Sequence, residues 1–194
     1  MLPADSNQVG DILLPIARAA IADALGFTVS ADESASWLTE HHACFVTLRK
    51  NDSLRGCVGS IEARRNLLED VKRNAVAAAF NDTRFPRLRA HEFAQTVIEV
   101  SLLTPPQPFA IMASEAELIA QLVPRLDGVV LELGSRRATF LPQVWESLPE
   151  PREFLAELKL KAELPPDFWS HELRVSRYRV QKWSEDALTG VGSP

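Results

Sequence analysis

The 194-residue chain has two cysteines, Cys44 and Cys57. Two are too few for a disulfide framework, and their separation fits no paired metal-ligand spacing such as CxxC. Also missing are a GxxxxGK[ST] phosphate loop, a GxGxxG run after a strand, a GxSxG elbow and a three-cysteine iron–sulfur motif. These absences argue against ATP hydrolysis, dinucleotide redox chemistry and radical generation within this chain. His91 and His171 each precede a glutamate, yet neither begins HExxH, so no metal and no cofactor is implied. No apolar run approaches the roughly 20 residues that span a bilayer, and the start, MLPADSNQVG, lacks the basic and apolar stretches of a secretory signal. The expectation is a soluble, unprocessed protein with no membrane partner in a reducing, cytoplasmic setting.

At 46% hydrophobic, the chain can bury one compact core, or two small cores in adjoining lobes. The net charge of −5 argues against wholesale nucleic-acid binding. The charge is uneven, however: from Arg49 to Arg89 ten Lys or Arg face five Asp or Glu, so this window is +5 and the remainder −10. A basic surface there suits a phosphate, a nucleotide or an acidic partner. A solvated helix face with ordinary ion pairs accounts for the same run without function.

Apolar residues at Ile12, Leu13, Ile16, Ala20, Ile21 and Ala24 predict a helix over Val9–Leu25, with Pro15 in its first turn or at a kink. Ala43–Lys50 alternates as a strand, Asn51, Asp52 and Ser53 supply a turn, and LRGCVGSI returns as the second arm of a hairpin. Asn66 and Glu69 form a capping-box pattern ahead of a helical stripe that ends near Asn81. Thr96–Leu103 reads as a strand. The second half repeats the order: GVVLEL and RRATFL flank Gly134–Ser135, REFLAELKLKAEL is helical, and ELRVSRYRVQKW is one long final strand. The fold class expected is α+β, with two related hairpin–helix–strand halves around a shared, mostly antiparallel sheet. A single domain over 8–185, with sublobes meeting near 105–127, precedes a flexible tail over 186–194.

LRGCVGS, Leu54 to Ser60, carries the chemistry of greatest interest. Strand alternation puts Leu54 and Val58 toward the core and leaves Arg55 and Cys57 on a face that meets solvent or a cleft. A guanidinium beside a thiol favours the reactive thiolate, and Gly56 and Gly59 let a backbone or a ligand approach closely. A buried cysteine acting as a small hydrophobe, a glycine bulge and an Arg55–Asp82 ion pair explain the same residues structurally. Asp82 and Arg84 of NDTRF are brought toward one end of this strand if the preceding helix packs across the hairpin. His42 is a candidate base for Cys57, and Cys44 reads as core.

Taken in order, FVTLRKNDSLRGCVGSIEA, AAAFNDTRFPRL, VSLLTP, GVVLELGSRRATFLPQVWE, FLAELKLKAEL and SRYRVQKW resemble the AMMECR family over roughly Ile12 to Trp183. LRGCVGS matches the motif usually written LRGCIG, with Val58 in place of isoleucine. The resemblance implies an α+β fold with two related halves around one barrel-like sheet. It also implies a site of Leu54, Arg55, Gly56, Cys57 and Gly59, joined by Asp82, Arg84 and Phe85 and by Thr139 to Pro142. By association it implies partnership with a radical S-adenosylmethionine enzyme and a dioxygenase-like protein in a modification pathway. It matches no histidine and supplies no reaction.

Three functions stay open on these residues. Cys57 is a nucleophile or covalent carrier; or Arg55, Gly56, Gly59, Asp82 and Arg84 bind an anionic small molecule, a nucleotide or an RNA end; or the motif shapes a protein-interaction scaffold.

Overall fold

The computed structural model describes residues 6–110 and 114–185. The expected tail lies outside the described residues. In chain order the elements of the first half are α1 (Ser6–Ala24), β1 (Ala43–Lys50), β2 (Ser53–Gly59), α2 (Leu67–Phe80), α3 (Ala90–Phe93) and β3 (Val97–Leu103). They are followed by β4 (Gln107–Pro108), α4 (Glu115–Gln121), β5 (Gly128–Leu133), β6 (Arg136–Phe140), α5 (Pro151–Lys161), β7 (Arg174–Tyr178) and β8 (Val180–Ser184). The fold is α+β and its strand pairs are antiparallel.

The chain divides into two compact units, one running to Leu103 and resuming at Gln181, the other Thr104–Val180. Each has its own four-stranded sheet, of order β2-β1-β3-β8 and β4-β7-β5-β6. The single shared sheet expected from the sequence is therefore two. Within each, a hairpin is followed by a helix and then a strand that pairs with the hairpin's first arm, giving β2-β1-β3 and β6-β5-β7. The final strand is likewise split. Its two pieces are β7 and β8, which fall in different sheets, and between them Arg179 N–H donates to Thr104 Oγ1 at 2.9 Å instead of continuing a ladder.

In the first unit, Cys44, Val46 and Leu48 of β1 are fully buried, as alternation requires of one face of a half-buried strand. Asn51 and Asp52 have φ of 50° and 60°, the left-handed pair that a two-residue hairpin turn needs to match strand twist. The Asn66 side chain accepts from Glu69 N–H at 2.9 Å and so starts α2. Leu67, Val71, Ala75, Ala78 and Ala79 then face the sheet, with Leu13, Ile16 and Ile21 of α1 in the same core. Pro15 lies well inside α1 rather than in its first turn.

Two buried polar residues of α2 also face the sheet. Asp70 accepts from the N–H of Cys44 at 3.1 Å and from Ser60 Oγ at 2.7 Å. Asn74 donates to the carbonyl of Cys44 at 3.0 Å. They satisfy main chain at the end of the hairpin where β2 leaves β1, where an unpaired group would cost about 1–3 kcal/mol. Burial, with Asp70 adding to it, pushes the Cys44 thiol far above its ordinary value, so this cysteine is inert core, as its position in β1 predicts.

In the second unit, Trp145 and Phe154 stack with centroids 3.7 Å apart. The buried Lys159 is neutralised by Glu115 at 2.9 Å.

The sheet and α2 of the first unit come close together at Gly56, where an added Cβ would stand 2.2 Å from the Ala78 carbonyl oxygen. Because that obstacle is helix backbone, Gly56→Ala is expected to cost about 1–3 kcal/mol, read as a lower urea midpoint. An unchanged midpoint would show that α2 retreats freely.

Candidate functional site

β2 is the outer strand of its sheet. Its register with β1 slips between Leu48 and Arg49: Leu48 faces Gly56 whereas Arg49 faces Leu54, so Arg55 is the extra residue of a bulge. A one-residue insertion reverses the faces of everything beyond it. Val58 accordingly packs on the core as expected, but Leu54 does not, being 40% exposed. The face expected for Leu54 is corrected on that ground.

The bulge turns Arg55 toward Glu92, just after the helix start at Ala90, and not toward Asp82. Arg55 is only 9% exposed. Its Nη2 and Nε stand 3.1 and 3.4 Å from the two Glu92 oxygens. Lys50 Nζ reaches the same carboxylate at 3.2 Å. Hydrogen bonding from Arg55, helped by Lys50 and opposed by burial, holds the Glu92 carboxyl down at about 2.

Cys57 turns its main chain toward the open edge of the sheet, and the segment after α2 covers it. Asp82 Oδ2 accepts from Cys57 N–H at 2.8 Å, and Arg84 Nη2 donates to the Cys57 carbonyl at 3.2 Å. Asp82 and Arg84 are themselves paired at 2.6 Å. The Arg84 bond, more than that of Cys57 N–H, keeps the Asp82 carboxyl well below the ordinary carboxylate range. Together they supply the acceptor and donor that a neighbouring strand would supply. Phe85 lies under the Arg84 guanidinium, 5.5 Å from it.

The half-buried Cys57 side chain lies on the sheet face opposite α2, beside its register partner Thr47, whose hydroxyl donates to Sγ at 3.2 Å. The next residue across is Glu99 of β3, and Lys182 of β8 reaches Glu99 at 2.7 Å. A Cys–Thr–Glu–Lys row thus crosses the sheet. His42 is elsewhere: it contacts Glu40 at 3.5 Å and precedes Thr47 by five residues, a strand distance of roughly 16 Å. Burial lowers its pKa, and it cannot reach Cys57 as a base in this arrangement.

The glycines admit protein groups. Gly56 meets α2, and a Cβ on Gly59 would come within 2.2 Å of the Phe45 ring. The other edge of Gly59 opens on a cleft of about 570 Å³ between the end of β2 and α2. Ser60, Arg65, Lys72, Arg73, Asn74 and Asn81 line it with Gly59, but Arg55, Cys57, Asp82 and Arg84 do not. Thr139 to Pro142 belong to the second unit, where Thr139 Oγ1 lies 3.2 Å from the Tyr178 hydroxyl and Phe140 packs edge-on to Phe154. Sequence reasoning missed Thr47, Asp70, Asn74, Glu92 and Glu99. Asp70 and Asn74 carried a signal, since both fall on the apolar side of α2.

Acid should report the Arg55–Glu92 pair. Glu92 ordinarily titrates at 4.5 and here at about 2, so its contribution is complete above 4.5 and is lost as pH falls toward 2. Glu92→Gln should lower stability near neutrality and flatten the fall of the urea midpoint across that window. Parallel acid limbs in the two proteins would show that other carboxylates carry the dependence.

The family model for AMMECR1 matches residues 14–183. A protein of Methanothermobacter thermautotrophicus is 35% identical over 190 residues, covering 93% of this chain and 96% of the relative. One from Methanopyrus kandleri is 34% identical over 194 residues, covering 94% and 91%. The crystal structure of an uncharacterized protein from Pyrococcus horikoshii superposes with a TM-score of 0.74 at 31% identity, covering 92% of each chain. With a model matched over most of its length and relatives of this identity aligned over nearly all of theirs, the chain belongs to the AMMECR1 family.

Proposed function

We propose that this protein is a ligand-binding or partner subunit that holds an anionic group in the cleft beside β2. The observation that carries the proposal is the lining of that cleft: three cations, Arg65, Lys72 and Arg73, line it with Ser60, Asn74 and Asn81 beside the end of the LRGCVGS strand. The cations have partners in Asp70, Glu33 and Glu69, but none of those acids lines the cleft. The Lys72 and Arg73 pairs are exposed and worth about 0–1 kcal/mol, so an incoming anion can compete for those two cations. In this reading Arg55, Asp82 and Arg84 act as positioning residues: their charges are engaged with Glu92 and with each other, and they hold β2 in place. On this proposal the subunit works in a modification pathway with a radical S-adenosylmethionine enzyme and a dioxygenase-like protein.

A second reading, Cys57 as a nucleophile or covalent carrier, draws support from the Thr47 hydroxyl bonded to Sγ. That contact sets a hydroxyl donor against the sulfur of a half-buried cysteine.

Calorimetric titration with inorganic pyrophosphate tests the first reading. Binding should weaken about tenfold in Lys72→Ala with Arg73→Ala and be unaltered by Cys57→Ser. No heat from the wild-type protein at millimolar pyrophosphate would count against an anion site. For the second reading, alkylation followed by mass spectrometry across pH should show Cys57 reacting well ahead of Cys44, and more slowly in Thr47→Val. If neither cysteine is alkylated until the protein unfolds, Cys57 is packing.

A further inference from the structure

The Asp82–Arg84 clamp fixes the hydrogen-bonding phase of β2. Cys57 N–H and C=O point away from β1, whereas Ser60 N–H points toward it, donating to Cys44 O at 2.9 Å. Antiparallel pairs alternate, so Gly59, two residues from Cys57, also turns both main-chain groups outward. At Cys57 a carboxylate and a guanidinium cover that pair. At Gly59 no described residue does, and the pair opens into the cleft lined by Arg65, Lys72 and Arg73.

Building on the cleft as the binding site, we infer that its occupant is a short acidic peptide segment of a partner protein or protein substrate, one residue of which pairs main chain to main chain with Gly59 while its carboxylates meet Lys72 and Arg73. The chemistry selects this class. Gly59 presents a donor and an acceptor side by side. A phosphate accepts from the N–H but leaves the carbonyl without a donor. A peptide supplies both, as strand-adding ligands do. The next outward pair of the same phase lies about 6.8 Å away at Cys57 and is already covered by the chain itself. Pairing is therefore limited to one residue, and charge must supply the rest of the affinity. Glycine is required at the position, because a side chain would strike Phe45.

The test uses a fluorescein-labelled, amidated Glu-Val-Glu-Val-Glu peptide and the full-length protein. Anisotropy should report saturable binding. Methylating alternate amide nitrogens keeps every charge and removes main-chain donors, and in one of the two phases it should weaken binding about tenfold. The exposed-face variant Lys72→Glu with Arg73→Glu should weaken it about as much, and the Gly59 amide proton should shift on titration. If both methylated peptides bind as tightly as the parent, or if pyrophosphate or single-stranded RNA binds at these cations while no peptide does, the peptide inference falls and the anion-binding reading stands. If none of these probes binds, both fall.

Discussion

The architecture of the first unit turns on the contact between Gly56 and the Ala78 carbonyl. With no Cβ between them, α2 lies directly on β2, and the consequences run along the helix in both directions. Toward its start, Asp70 and Asn74 come within reach of Cys44 and Ser60. Beyond its end, Asp82 and Arg84 arrive at the main chain of Cys57. A helix held farther off would lose these bonds and leave strand groups without partners, each at a cost comparable to the contact itself.

Most of the motif's polarity is therefore spent on holding β2. Arg55 is needed because a bulge leaves a residue over, and Glu92 gives its charge a partner where solvent is scarce. Asp82 and Arg84 close one step of an open sheet edge, which otherwise invites indiscriminate strand pairing. What remains for the proposed ligand is the ground beside them: the outward pair of Gly59 and the cations carried on the exposed side of α2. The covered pair of Cys57 and the open pair of Gly59 are thus adjacent steps of one strand.

The second unit uses the same hairpin, helix and strand order with different chemistry. There Trp145 Nε1 donates to the Asp127 carbonyl and the Tyr178 hydroxyl to the Phe140 carbonyl, satisfying main chain as Asp70, Asn74 and Asp82 do in the first. Thr139 and Phe140 join the strand β6 to the packing of that unit.

By itself the sequence determined β1, its turn, the cap and apolar stripe of α2 and the repeated order of elements, because periodicity and local turn or cap chemistry act within a few residues. It also singled out Arg55, Cys57, Asp82 and Arg84 by residue type, and correctly assigned Cys44 to the core. Only the tertiary structure decided their partners. The slip at Arg55 moves Leu54 outward and sends the guanidinium to Glu92, thirty-seven residues away. Arg179 divides what alternation alone joins into one strand. The cations of the cleft, dispersed in sequence as an ordinary solvated helix face, line one cleft only when α2 is laid beside the end of β2. Register and helix placement are long-range properties: each is set by close contact between segments that are distant in the chain, and no local pattern encodes it.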